Sequence, residues 1–219
     1  MGQLLLAAER AEVCAYARRM SVDRLVVGTS GNISRRAGDL VAVTPTGIDY
    51  AELTPESITV LDLAGRRIDG DLAPTSETPL HLALYRSRPN KMGAVVHTHA
   101  VHATAVSLLV DRIPPVHYLL GIFGGAVHVA RYATFGTEEL AAHTIEALGD
   151  RTGCLLANHG AVTVGGNLAA AYDRALQLEW LCQVWLTARA AGLPRPLPPG
   201  ELDTVTELIR GYGAAGREH

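Results

Sequence analysis

Apolar and polar positions along the chain follow two periods in turn. Leu6, Val13, Tyr16 and Ala17 recur near 3.6 residues, which predicts a helix over 4–20. A short strand at 33–35 follows the Gly28–Asn32 loop, an apolar run at 40–43 predicts another, and Thr44-Pro45-Thr46-Gly47 reads as the turn that ends it. Residues 58–63 and 66–68 flank Ala64-Gly65 as a hairpin. Thr75-Ser76-Glu77-Thr78-Pro79 opens a helix through about Ser87, with hydroxyls at the cap, an acid in the first turn and an early proline. A strand over 94–98 and a helix over 100–108 follow. Pro114-Pro115 restarts the chain as extended structure through Tyr118. Beyond it come a strand at 127–131, a helix at 137–148 and a strand at 154–157. Asn158-His159-Gly160 bends that strand, which continues over 161–164. The longest helix covers 168–191, with Leu176, Trp180, Val184 and Leu186 among its apolar positions. A Pro-rich linker at 193–199 leads to a short helix at 201–210.

Strands and helices mix throughout, with hairpins among them. This predicts one α/β domain around a mixed, largely antiparallel sheet. Residues 1–192 form the body, and residues 193–219 a linker and tail. Hydrophobic residues make up 48% and charged ones 19%, so the chain can bury a core. A net charge of -3 offers no electrostatic footprint for nucleic acid or an anionic membrane. The apolar runs are too short to span a bilayer, and Met1-Gly2-Gln3 lacks a basic leader. Cys14, Cys154 and Cys182 are odd in number and far apart, as in a reduced, cytoplasmic protein. Of the 19 basic residues only Lys91 is lysine, in the turn-like run Arg88-Pro89-Asn90-Lys91. Schiff-base chemistry needs a desolvated lysine, so carbonyl chemistry here points to a metal.

The ligand chemistry sits at a strand end. His97 and His99 are spaced i and i+2, so both imidazoles project from one face. His159 ends a second strand in the same way. Three neutral imidazoles with an open position suit a catalytic zinc site, although an HxH pair also occurs as plain polar strand-end histidines. His102, His117, His128 and His143 lack such a setting, and His81 reads as a packing residue on the helix after Glu77. Thr29-Ser30-Gly31-Asn32, Thr44-Pro45-Thr46-Gly47 and Thr75-Ser76-Glu77 each combine hydroxyls with glycine or a helix start. Such segments expose N–H and O–H donors to phosphate, or serve as ordinary turns and an N-cap. Neither a P-loop nor a dinucleotide fingerprint is present.

In this order the segments resemble the class II aldolase family, in its L-fuculose 1-phosphate branch, over roughly residues 4–188. The matching runs are Gly28-Thr29-Ser30-Gly31-Asn32, Thr44-Pro45-Thr46-Gly47-Ile48, Ser76-Glu77, His97-Thr98-His99-Ala100-Val101-His102, Tyr132-Ala133-Thr134-Phe135-Gly136-Thr137 and His159-Gly160. The resemblance implies a three-layer α/β/α domain. It places one Zn²⁺ per subunit on His97, His99 and His159, with Glu77 touching the metal and exchanging a proton with substrate. Glu77 is then expected to have a raised pKa. Thr29, Ser30, Asn32, Thr46, Gly47, Thr75 and Ser76 fall on the family's phosphate loops. Tyr118 matches a tyrosine that reaches an adjacent subunit's site, Phe135 and Tyr212 match groups that close over substrate, and the tail packs on or near the site. The implied reaction is reversible cleavage of a ketose 1-phosphate to dihydroxyacetone phosphate and a short aldehyde of the L-lactaldehyde type. The implied assembly is a homotetramer with sites between subunits. Within the same superfamily stand a methylthioribulose-1-phosphate dehydratase, a ribulose-phosphate 4-epimerase that usually carries Asp at the position of Glu77, and the non-catalytic head of adducin.

Overall fold

Strand β5, Ala94–Thr98, is buried along its whole length and lies in the middle of an eight-stranded sheet. The computed structural model describes residues 4–89 and 91–215, with side chains described through residue 211. The other strands are β1 (Asn32–Ala37), β2 (Leu40–Val43), β3 (Thr59–Asp62), β4 (Arg67–Asp69), β6 (Val129–Ala130), β7 (Gly153–Leu156) and β8 (Gly160–Gly165). Their order is β4-β3-β2-β1-β5-β8-β7-β6. Every neighbouring pair is antiparallel except β6 with β7.

Helices cover both faces, so central strands are apolar on both sides. Ala94 and Val96 join a core with Val13, Ala17 and Met20 of α1 (Ala7–Val22), Ala103 and Val106 of α3 (Val101–Ser107), and Leu178 and Cys182 of α5 (Leu168–Ala191). Val95 points the other way, into a core with Leu80, Leu84 and Tyr85 of α2 (Thr78–Ser87) and Ala141 and Leu148 of α4 (Glu138–Leu148). This is the three-layer α/β/α domain with a mixed, largely antiparallel sheet that the sequence leads one to expect. Cys14, Cys154 and Cys182 are all buried and unpaired.

Several boundaries shift for local reasons. Leu6 takes a left-handed backbone (φ 53), so α1 starts after it rather than at residue 4. The extended run after Pro114-Pro115 stops at His117, whose ring Nδ1 accepts the Leu119 N–H and caps a 3₁₀ helix over Tyr118–Phe123. The strand ending at Leu156 does not continue past a bend. Asn158 adopts φ 56 and turns the chain back, so β8 inserts between β7 and β5. The last helix, α6, runs Glu201–Ala215, past the expected end at 210, because Gly211 keeps a helical backbone. It seats Val205, Thr206 and Ile209 against Gly121, and the linker's Leu197 N–H donates to Pro115 O at 2.7 Å.

Candidate metal centre

Four side chains from three places in the chain meet at the end of β5. His97 lies on β5 and His99 just past its end in the same alternation, which places both rings on the side of the sheet that carries Val95 and α2. His159 arrives from the β7–β8 turn, and Glu77 caps the backbone of α2. Their ligand atoms lie within 4.8 Å of one another. His97 Nε2 stands 2.9 Å from His99 Nε2 and 2.9 Å from Glu77 Oε2, and His159 Nε2 stands 3.4 Å from Glu77 Oε1. The three ring centroids are each 4.8 Å apart, with planes crossing at 70–87°. These spacings approach the roughly 3.3 Å ligand separation of a tetrahedral ion with bonds of about 2.0–2.1 Å.

The donor set fits a divalent cation. His97 Nδ1 donates to Ala161 O at 3.0 Å, which leaves Nε2 as the ring's ligand atom. Glu77 Oε1 is buried without a hydrogen-bond partner among the described residues, as expected of an oxygen meant for something else. Burial and the His97 charge push His99 down to about 3, and burial and the same charge push His159 down to about 4. Both rings are therefore neutral near pH 7. At His97 burial favours the neutral ring, but the Glu77 charge and hydrogen bond outweigh it and raise the group. At Glu77 burial works upward, yet the His97 charge, the hydrogen bonds from His97 and Asn32, and His159 hold it well below the carboxylate range. This runs against the expectation of a raised Glu77 pKa: burial alone would raise it, but contact with His97, Asn32 and His159 prevails.

The order of the sheet explains the convergence. Asn32 pairs in register with His97, so its side chain lies beside the ligands and its Nδ2 donates to Glu77 Oε2 at 2.9 Å. Gly160 follows His159 where β8 presses on β5; a Cβ there would stand 2.1 Å from Thr98 O. Only glycine lets the His159 turn come this close.

The hydroxyl segments meet beside Glu77. Thr75 N donates to Thr44 O at 3.0 Å and Thr46 N to Ala73 O at 3.0 Å, which zips two of the three loops together. Thr75 is buried and its Oγ1 accepts the Glu77 N–H at 3.3 Å, while Ser76, Thr46 and Gly47 are exposed. Tyr50, which the sequence reading passed over, donates to the Ser30 and Gly31 carbonyls and ties the third loop to the Gly47 loop. Thr29 is exposed on that third loop. Ser30 differs from the expectation, because its hydroxyl donates to Val27 O (2.6 Å) and its N–H points to the same carbonyl (3.3 Å). Ser30 therefore shapes the loop.

Phe135 is exposed, next to a Gly136 that backs so closely on Ser76 that a Cβ would lie 2.8 Å from its carbonyl. Tyr118 is 52% exposed and stacks on His117 with ring centroids 4.9 Å apart. Tyr212 belongs to α6, and its side chain lies outside the described residues. His102 hands its Nδ1 to Glu179, whose carboxylate also takes the His102 and Ala103 N–H groups at the start of α3. His117, His128 and His143 also stand outside the ligand group. His81 is not simple packing. Its Nε2 meets Asn32 Oδ1 at 2.5 Å, directly behind Glu77. Its spacing of four residues from Glu77 on one helix was the available signal.

The fold and this cluster define a class of enzyme. The chain belongs to the class II aldolase and adducin N-terminal domain family, matched over residues 11–186. It is a class II aldolase, an aldehyde-lyase: it is 41% identical to L-fuculose phosphate aldolase of Escherichia coli K12 over 210 residues, covering 95% of both chains. It is also 38% identical to 5-deoxy-D-ribulose 1-phosphate aldolase of Bacillus thuringiensis serovar kurstaki over 212 residues, 96% of this chain and 99% of that one. A solved L-fuculose 1-phosphate aldolase superposes with a TM-score of 0.89 at 33% identity, covering 93% of this chain and 96% of its own.

Proposed function

We propose that this class II aldolase is zinc-dependent and reversibly cleaves a ketose 1-phosphate to dihydroxyacetone phosphate and a short aldehyde. The observation that carries the reading is the convergence of three imidazole Nε2 atoms on a carboxylate with one unpaired buried oxygen, beside loops rich in exposed hydroxyls. His97, His99, His159 and Glu77 would hold the ion. Zinc bound there supplies Lewis acidity, drawing electron density from the ketose carbonyl and offsetting negative charge as the carbon–carbon bond breaks. That role removes the need for a lysine, and Lys91 lies exposed near β5's far end.

Glu77 Oε1 carries the proton to or from the hydroxymethyl carbon of dihydroxyacetone phosphate. Thr29, Asn32, Thr46, Gly47, Thr75 and Ser76 bind and orient the phosphate, which fixes where that carbon sits. Tyr118 serves a neighbouring subunit in a homotetramer and carries the proton of the aldehyde oxygen. Its exposure and its contact segment with α6 support this reading, with the 193–219 tail and Phe135 lining the aldehyde end. Three buried unpaired cysteines suit a reducing cytoplasm.

The aldehyde partner is short, of the size that the two relatives' names imply: L-lactaldehyde from L-fuculose phosphate and acetaldehyde from 5-deoxy-D-ribulose 1-phosphate. The test is to offer the zinc-loaded protein L-fuculose 1-phosphate, 5-deoxyribulose 1-phosphate and 5-methylthioribulose 1-phosphate, with ribulose 5-phosphate as an epimerase control. Release of dihydroxyacetone phosphate from at least one ketose 1-phosphate is expected. Loss of water without release would identify a dehydratase, and release from none would defeat the reading.

A further inference from the structure

Behind the ligand group runs an unbroken line of five buried polar side chains: Glu77, Asn32, His81, Ser34 and Tyr85. Asn32 Nδ2 lies 2.9 Å from Glu77 Oε2, and Asn32 Oδ1 lies 2.5 Å from His81 Nε2. His81 Nδ1 lies 2.7 Å from Ser34 Oγ, which lies 2.8 Å from Tyr85 OH. The five come from β1, from α2 and from Glu77 at the N-cap of α2.

We propose that His81 is a positioning residue for Glu77, acting through Asn32: its Nε2–H holds the Asn32 amide so that an N–H, and not a carbonyl, faces Glu77 Oε2. This rests on the aldolase reading in that Glu77 is taken as the proton carrier.

The direction of every bond follows from the first. An ionised carboxylate only accepts, so Asn32 must donate to it and turn its oxygen towards His81. That oxygen only accepts, so His81 must carry its proton on Nε2. Nδ1 is then the acceptor and must receive the Ser34 hydroxyl proton. Ser34 Oγ has spent its one hydrogen, so Tyr85 OH is the donor to it, sharing with Ser34 O at 3.1 Å. A flipped Asn32 would set an amide oxygen against a carboxylate oxygen where no water can intervene. Burial pushes His81 down to about 3, which keeps the ring neutral as the chain of bonds requires. With Oε2 fixed in this way, Oε1 is left as the unpaired oxygen on the ligand side.

Three variants separate positioning from packing. His81→Gln keeps an N–H near the Nε2 position, His81→Asn keeps only the Ser34 side, and His81→Leu keeps neither. His81→Leu and His81→Asn are expected to lower kcat about 10–100-fold, with KM changed less than about threefold and zinc content unchanged. His81→Gln is expected to recover most of kcat. A Gln variant as impaired as Leu, or a Leu variant with full kcat, overturns the proposal. A second readout needs neither activity nor a variant that folds. Imidazole ¹⁵N shifts of the unsubstituted protein, with and without zinc, are expected to show His81 as the neutral Nε2–H tautomer. An Nδ1–H tautomer overturns the proposal. If the unsubstituted protein cleaves no ketose 1-phosphate, the aldolase reading fails while the tautomer still decides the role of His81.

Discussion

The two oxygens of Glu77 stand in different surroundings. Oε2 accepts from Asn32 and lies 2.9 Å from His97 Nε2, whereas Oε1 is buried without a hydrogen-bond partner among the described residues. In the proposed reaction Oε2 orients the carboxylate and Oε1 carries the proton. Replacing it with the isosteric amide keeps the shape and removes the acid–base function. Glu77→Gln is expected to lower kcat by about 10²–10⁴-fold. Zinc should stay bound, since three imidazoles remain. Exchange of the hydroxymethyl proton of dihydroxyacetone phosphate into deuterated water, read beside metal content, checks this; unchanged exchange removes Glu77 from the proton-carrying role. His159→Ala is expected to act differently, lowering metal content together with activity, because it removes one of three neutral ring donors.

At the scale of elements, the β7–β8 turn and the zipped loops decide whether the side chains meet. His159 is placed by a left-handed Asn158 before it and by Gly160 after it, pressed against Thr98. Gly160→Ala forces a Cβ to within 2.1 Å of a β5 carbonyl, so β8 must move off β5. Overpacking of this kind costs about 1–3 kcal/mol. Thermal unfolding should therefore shift downward, and zinc affinity should fall by more than the stability loss alone requires, since His159 moves with the turn. Normal zinc affinity in a destabilised Gly160→Ala protein would show that the turn does not set the ligand. Tyr50 holds the Ser30-Gly31 loop: Tyr50→Phe removes its hydrogen bonds to the Ser30 and Gly31 carbonyls, and KM for the sugar phosphate is expected to rise with zinc content unchanged.

At the scale of the molecule, the buried histidines set the acid limit of stability. His81 is pushed down to about 3, His99 to about 3 and His159 to about 4 by burial and the nearby His97 charge. Unfolded, each titrates near its ordinary value of about 6.5. Below that pH the unfolded chain binds protons that the folded chain refuses, so stability falls as pH drops from about 6.5 towards 4. His97 has the opposite sign: its raised value gives stability that is present below 6.5 and lost as pH rises through its folded value. Three groups against one make the net trend acid destabilisation. The melting temperature of the metal-free protein, followed from pH 7 to pH 4, is expected to fall steadily, and the fall should be shallower in His81→Gln. The proposed tetramer has its own test. If Tyr118 serves a neighbour's site, co-assembled Tyr118→Phe and Glu77→Gln subunits regain activity that neither has alone, because some sites then hold both intact residues. No regain would place Tyr118 outside the shared site.

The amino-acid sequence determined a great deal by local rules. Strand β5 and helix α5 are where their apolar patterns put them, since buried runs and long periodic stretches specify themselves. The HxH spacing fixed the shared face of His97 and His99 through the pleat alone, and the ordered motifs were enough to indicate the family. Other features depend on contacts between distant segments. The reversal at Asn158 rested on one left-handed residue, which a strand-like run on either side concealed. The loss of the Ser30 hydroxyl to Val27, and the Tyr50 clamp, are contacts that no single segment encodes. The depressed Glu77 comes from three partners, Asn32, His97 and His159, brought by β1, β5 and the β7–β8 turn, whereas local sequence supplied only its burial. His81 shows the division most clearly: its position one helical turn from Glu77 was written in the chain, but its bond to Asn32 required β1 to lie beside α2. Periodicity and spacing act over a few residues, and the chemistry of this site arises only where the sheet order brings those few together.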